Sequence, residues 1–331
     1  MNTMMTALVL ENFADEQFTR AQLPVPTTGA GQVLVQIHAS GVNPIDYKIR
    51  LGEAPYAMPE LPAVLGTDMA GVVVVVGEGV ERFNVGDEVY GLTGGVRGLQ
   101  GSLAQYAAVD AHLLALKPRN ISMREAAAIP LTLLTAWEGL VDNAKVKPGQ
   151  SVLVQGGAGG VGNMVVQLAK AMDANVWATG CTANQSLIAR LGATPLDYTK
   201  LSTQEIVNNC TAGQGFDIVY DTVGGLVLQD SLGMTRHYGH ITSCAAFGEH
   251  NLAVSSLRCA TLSGVFVLMR MLSGEGRAHH GEILDAATRL IEDGKIRPVV
   301  DVRHFTLDQA IDAHHAVQDG SASIKVVIDV E

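Results

Sequence analysis

The sequence predicts an α/β protein of two domains, a small barrel-like β domain and a doubly wound parallel sheet. Three observations carry that reading. The chain of 331 residues exceeds what one hydrophobic core usually serves. Up to about Lys117 it runs in short alternating segments punctuated by glycine and proline, and from Ser122 onward helices and strands alternate. In its middle, "SVLVQGGAGGVGNMVVQLAK" packs five glycines into seven positions between two apolar segments.

The first half supplies the strand-like segments "QVLVQIHAS", "AGVVVVVGEGV", "GDEVYGL" and "SLAQYAAVDAHLLALKP". Its longest aliphatic run, Val72 to Val76, lies between Gly71 and Gly77 and falls far short of the roughly 20 residues a membrane helix needs. Ser122 and Glu125 then form a capping-box pattern that opens the helical region. Six strands follow: "SVLVQ", "NVWAT", "TPLDY", "FDIVYDTVG", "HITSC" and "SGVFVLM", with helical stretches such as "QSLIARLG" between them. After a helix near "GEILDAATRLIEDGK" come strand-like "RPVVDVRHF", a Thr306-capped helix and a closing strand "IKVVIDV". That tail is expected to rejoin the first domain.

Hydrophobic residues make up 47% and charged residues 17%, the balance of a well-packed globular protein. A net charge of -11 without a basic cluster argues against a nucleic-acid partner. The opening "MNTMMTALVLENF" carries no basic leader, and Cys181, Cys210, Cys244 and Cys259 have no paired spacing, so a reducing cytoplasm is expected and a disulfide or zinc-ribbon framework is not. The adjacent pairs His279/His280 and His314/His315 read as solvated helix surface, because neighbours on a helix point in different directions.

Gly157, Gly159 and Gly162 satisfy G-x-G-x-x-G, with Gly160 and Val161 between them. A strand precedes the motif. The helix after it has Val161, Val165, Leu168, Ala169 and Met172 on one face. Glycine lets the backbone approach a pyrophosphate, and the helix N-terminus offers it free N–H groups. The end of the next strand, "NVWATGCTANQ", lacks the acid that grips the ribose of NAD. Thr179, Cys181, Thr182, Asn184 and Tyr198 are the candidates around a 2′-phosphate, and NADP(H) is favoured.

The motifs "GVNPIDYK", "LGTDMAGVV", "VGDEVYG", "IPLTLLTAW", "GGAGGVG", "LGATPLDY" and "DTVGG" run through nearly the whole chain. In them the sequence resembles the medium-chain dehydrogenase/reductase superfamily, in the zinc-free quinone oxidoreductase branch related to zeta-crystallin. The resemblance implies a GroES-like, partly open β-barrel catalytic domain over 1–121 and 295–331, a Rossmann domain over 122–294, and a cleft holding the nicotinamide. It also implies that Thr135, the backbone of Val223 and Gly224, Ser243 and Lys325 lie near the cofactor. Zinc relatives place a cysteine ligand where this chain has Asn43 and a Gly-His-Glu where it has Gly66, Thr67 and Asp68, so no metal is expected.

Without a metal to stabilise an alkoxide, an electron-poor acceptor is the expected substrate: a quinone or an α,β-unsaturated carbonyl compound, whose incoming charge delocalises. Asn43, Tyr47 and Tyr56 are the polar groups placed by motif to meet that charge, and Asp46 is expected to orient their loop. Two alternatives stay open, an enoyl-thioester reductase and a nucleotide-binding structural or sensor protein with little turnover. A homodimer is expected through "SGVFVLM", an apolar edge strand that needs a cover.

Overall fold

The computed structural model describes residues 3–15, 17–322 and 324–330. They form two compact units, Met1–Leu131 with Leu268–Glu331, and Thr132–Val267.

In the first unit the strand Gln32–Val42 is the spine. Val33, Val35 and Ile37 alternate along it and face a core shared with Met69, Val73, Phe83 and Val89, the period of two that a half-buried strand requires. It pairs antiparallel with Asp68–Val76, Tyr106–Asp110 and Val326–Asp329. The tail therefore does rejoin the first domain, with Val326 opposite Val42. That register brings Lys325 beside Asn43.

Helix Arg277–Glu292 belongs to this unit by packing. The Tyr90 hydroxyl donates to Leu284 O at 2.9 Å, and Thr288 Oγ1 donates to Leu116 O at 2.9 Å. The structure corrects half of each histidine pair: His280 and His314 are buried, while His315 is exposed. Neighbours about 100° apart on an amphipathic helix put one ring inward. His314 lies edge-on to Phe18 at 5.4 Å, and burial pulls its pKa to about 3, so the ring is neutral at physiological pH.

The second unit is a six-stranded parallel sheet of Ser151–Gln155, Asn175–Gly180, Thr194–Asp197, Phe216–Asp221, Thr235–Ser243 and Thr261–Gly264. Across the sheet they run third, second, first, fourth, fifth, sixth. The order reverses between the first and fourth strands, where a doubly wound sheet opens a crevice at the carboxyl ends. The last strand differs from expectation. It covers 261–264, and Val265, Val267 and Leu268 leave the sheet to become buried, so "SGVFVLM" contributes only Ser263 and Gly264 to the edge. Among the described residues no helix is long and apolar enough to cross a membrane.

Candidate active site

The glycine turn lies at the carboxyl end of Ser151–Gln155 and opens helix Gly160–Ala171. It is clamped from the next strand: Thr179 Oγ1 donates to Gln155 Oε1 at 2.8 Å and accepts from Gly156 N at 3.0 Å, while Gly157 N donates to Thr179 O at 2.9 Å. Thr179 is thus a buried brace. Gly159 is the exposed N-cap of the helix, where an added Cβ would meet only Gly156 O at 3.4 Å, so its outer side is open to a ligand.

On the neighbouring strand, Asp221 is fully buried and organises the turn after it. Its carboxylate accepts from Val223 N at 3.1 Å, Gly224 N at 3.0 Å and Ser243 Oγ at 2.6 Å. Gly224 holds φ +80°, and a Cβ there would stand 2.4 Å from Ala245 O. The hydroxyl of Ser243 therefore serves the turn, and Ala245 N donates back to it at 3.0 Å. Asp221 escaped attention in the sequence, although an acid ending a strand before Thr-Val-Gly-Gly has the signature of a carboxylate that caps its own turn.

A cavity of about 890 Å³ spans this end of the sheet, lined among others by Gly156, Gly159, Cys181, Asn184, Tyr198 and Val223. Thr182 is turned from it chemically: its hydroxyl donates to Asp197 Oδ2 at 2.6 Å, which leaves no Thr182 hydroxyl proton for a ligand. Asp197 also accepts from Thr199 Oγ1 at 2.6 Å and pairs with Lys200 at 3.3 Å; the Thr182 and Thr199 hydroxyls hold its carboxyl well below the usual range. Lys200 brings to this corner a cation that the loop itself lacks. Thr135 lies on helix Pro130–Trp137, and its carbonyl accepts from Tyr220 OH at 2.6 Å.

In the first unit a second, buried polar cluster forms around Asn43, which precedes helix Pro44–Arg50. Asn43 N donates to Asp46 Oδ2 at 2.7 Å, so Asp46 fixes the start of that helix. The Asn43 side chain points elsewhere. Its Nδ2 donates to Thr67 Oγ1 at 3.0 Å and Asp68 Oδ2 at 2.8 Å, and its Oδ1 accepts from Lys325 Nζ. Lys325 Nζ also donates to Asp68 Oδ2 at 2.9 Å, and Leu131 N donates to Asp68 Oδ1 at 2.9 Å. Both amide hydrogens of Asn43 are spent within the cluster, which leaves none for a developing substrate charge. Tyr47 and Tyr56 are half-buried; desolvation raises both phenols, so each is a protonated donor at neutral pH.

Asp46 carries a consequence for stability. Burial first, then the Asp68 charge, lift its pKa from 3.8 to about 7, and its Oδ1 has no hydrogen-bond partner among the described residues. Between those values the unfolded chain releases the proton that the folded chain keeps. Stability should therefore fall as pH rises from about 4 to about 7 and level off above, with a slope near 1.4 kcal/mol per pH unit. Asp46→Asn keeps an acceptor for Asn43 N. Urea unfolding across this range should show that the variant loses the slope; an identical pH profile would refute the assignment.

A buried lysine ammonium stands in the cluster of Asn43, Thr67 and Asp68. That donor set does not fit zinc, which seeks thiolate or imidazole and would have to displace the resident cation. Among the described residues no three His, Cys, Asp or Glu side chains are grouped to hold a metal ion. The glycine turn and its cavity, by contrast, do fit a dinucleotide.

A strand-turn-helix cradle at the switch point of a 3-2-1-4-5-6 sheet is the geometry of a dinucleotide-binding protein, and the chain adds to it a separate antiparallel unit. Residues 29–119 match the alcohol dehydrogenase GroES-like domain family, and residues 191–328 match the zinc-binding dehydrogenase family. The 2-methylene-furan-3-one reductase of Solanum lycopersicum is 38% identical over 93% of this chain and 74% of its own length. The chloroplastic NADPH-dependent alkenal/one oxidoreductase of Arabidopsis thaliana is 34% identical over the same shares, 93% and 74%. An alcohol dehydrogenase superfamily protein from Novosphingobium aromaticivorans superposes with a TM-score of 0.96 at 49% identity, over 99% of this chain and 100% of that one. The chain belongs to the medium-chain dehydrogenase/reductase superfamily, in its quinone oxidoreductase branch.

Proposed function

We propose that this protein is an NADPH-dependent, zinc-independent reductase of quinones and α,β-unsaturated carbonyl compounds. The observation that carries the reading is the Lys325 ammonium bonded to Asn43 and Asp68. With that cluster closed on its own cation, no Lewis acid is at hand for a simple carbonyl, and an acceptor that delocalises its charge needs none. The relatives named for enone and quinone substrates support the same class.

When bound, the reduced nicotinamide supplies a hydride. The free amides at the start of helix Gly160–Ala171, from Gly160, Val161 and Gly162, hold the pyrophosphate. Val223 and Gly224, fixed by Asp221, and Thr135 border the nicotinamide half, while Cys181, Asn184, Tyr198 and Lys200 border the 2′-phosphate. Of the residues that the sequence motifs single out, Tyr47 and Tyr56 carry the phenols to stabilise the oxygen that gains charge on the acceptor.

Turnover with quinones, enones, enoyl thioesters and aldehydes tests this reading, for the native protein and for Tyr47→Phe and Tyr56→Phe. Enone and quinone reduction should lead, a chelator should change nothing, and loss of the contributing phenol should lower enone turnover by about 10². Preference for enoyl thioesters, or no turnover at all, would replace the reading. Quinone turnover should fall less, because its product anion is intrinsically better stabilised.

Cofactor choice has its own test. Cys181 lines the cavity, whereas a Cβ at Gly180 would stand 2.7 Å from Ile188 Cδ1, so Cys181→Asp is the cleaner way to install a charge. It should raise the NADPH KM by about tenfold or more through repulsion of the 2′-phosphate and spare NADH. Equal effects on both cofactors would place the 2′-phosphate elsewhere. We also propose a homodimer through the edge strand Thr261–Gly264, which is hydrogen-bonded to Thr235–Ser243, and residence in the cytoplasm, where four free thiols are at home. A monomer by light scattering at micromolar concentration would refute the dimer, and cell fractionation tests the compartment.

A further inference from the structure

The helix that begins at Pro130 changes its hydrogen-bonding period in mid-course. Pro130–Trp137 is α-helical, and Glu138–Asn143 is a π-helix closed by Ala144 N donating to Gly139 O at 3.0 Å, five residues back. Such widened turns are rare and persist where a neighbouring group holds them. At this one stands a phenol from the sheet. Tyr220 is fully buried on strand Phe216–Asp221, and its hydroxyl donates to Thr135 O at 2.6 Å.

Gly139 admits that phenol. A Cβ on Gly139 would stand 2.5 Å from both the hydroxyl oxygen and Cε2 of Tyr220. Gly139 is also four residues after Thr135, the spacing at which its N–H would serve the Thr135 carbonyl in a regular α-helix. Tyr220 thus offers a donor to Thr135 O in the turn where regular pairing gives way. Burial holds the phenol well above its usual pKa, so the donor is permanent.

The same helix reaches the glycine turn. A Cβ on Gly160 would lie 3.4 Å from Thr132 Cγ2, and Thr132 and Thr135, three residues apart, share a face. We propose that Tyr220 is a positioning residue for the reduction: by holding the Thr135 carbonyl and keeping the next turn wide, it sets where the Thr135 hydroxyl meets the bound cofactor. This rests on the proposed reading that Thr135 borders the nicotinamide. Tyr220 acts through Thr135.

The test is a double-mutant cycle of Tyr220→Phe and Thr135→Val, read by kcat with methyl vinyl ketone, NADPH dissociation constant and thermal midpoint. Tyr220→Phe should lower kcat about tenfold, the scale of a small misplacement of reacting groups. In the Thr135→Val background it should lower kcat no further, since the hydroxyl it places is gone. Losses that multiply in the double variant would show an independent, merely structural role and overturn the proposal. So would full kcat in Tyr220→Phe beside an impaired Thr135→Val. Full kcat and unaltered NADPH binding in Thr135→Val would instead bring down the cofactor role of Thr135, and this inference with it.

Discussion

Lys325→Met should destabilise the protein by about 3–5 kcal/mol, the cost of leaving one charge of a buried pair without its partner. Lys325 is 6% exposed and Asp68 is 0% exposed, so water cannot take over the lost contact. Asp68 would keep Leu131 N on one oxygen and Asn43 Nδ2 on the other, two neutral donors against a full negative charge. Asn43 Oδ1 would lose its donor as well. Adding Asp68→Asn should then restore part of the loss, because the double variant buries no uncompensated charge. Urea unfolding of both variants decides the matter: a cost under about 1 kcal/mol for Lys325→Met, or additive costs in the pair, would mean that the ammonium is not the counter-charge of Asp68.

The position of Lys325 also marks where the sequence stops being legible. Its resemblance-based placement beside the cofactor rests on a local likeness, yet its bonding partners Asn43 and Asp68 are 282 and 257 residues away. Only the antiparallel register of Val326 against Val42 brings them together, and nothing in the strand pattern of "IKVVIDV" dictates that register. The same limit governs Thr182, in the turn after strand Asn175–Gly180, whose bond reaches Asp197 at the end of the next strand, and Ser243 and Asp221, whose bond crosses between parallel strands. Local chemistry read well. The glycine turn, the first five strands of the Rossmann sheet and the return of the tail follow from periodicity, turn residues and chain order. The edge strand read poorly because an apolar run that is buried looks alike whether it forms a ladder or tucks beneath one, as Val265 and Val267 do.

Within the glycine turn, two substitutions of the same size should fail in opposite ways. At Gly162 an added Cβ would stand 2.1 Å from Gly156 O and 3.0 Å from Gly157 Cα, so backbone must move to admit it. The turn cannot yield easily, since Gly156 and Gly157 are tied to Thr179 by two hydrogen bonds, Gly156 N to Thr179 Oγ1 and Gly157 N to Thr179 O. Gly162→Ala should therefore cost about 3 kcal/mol or more of stability, in the range of overpacked cores. Gly159 differs. Its φ is −71° and ψ 173°, a conformation open to any residue, and the nearest atom to its Cβ position is at 3.4 Å. Gly159→Ala should fold with nearly native stability, yet its methyl group would stand on the open side of the helix N-terminus, where the proposed function puts the pyrophosphate. NADPH affinity should fall by about 10² or more, equivalent to roughly 2.7 kcal/mol of binding. Thermal unfolding beside NADPH titration separates the two effects. A stable Gly159→Ala that binds NADPH as the native protein does would mean that the pyrophosphate does not lie over this turn, and the cofactor site would have to be sought elsewhere on the sheet.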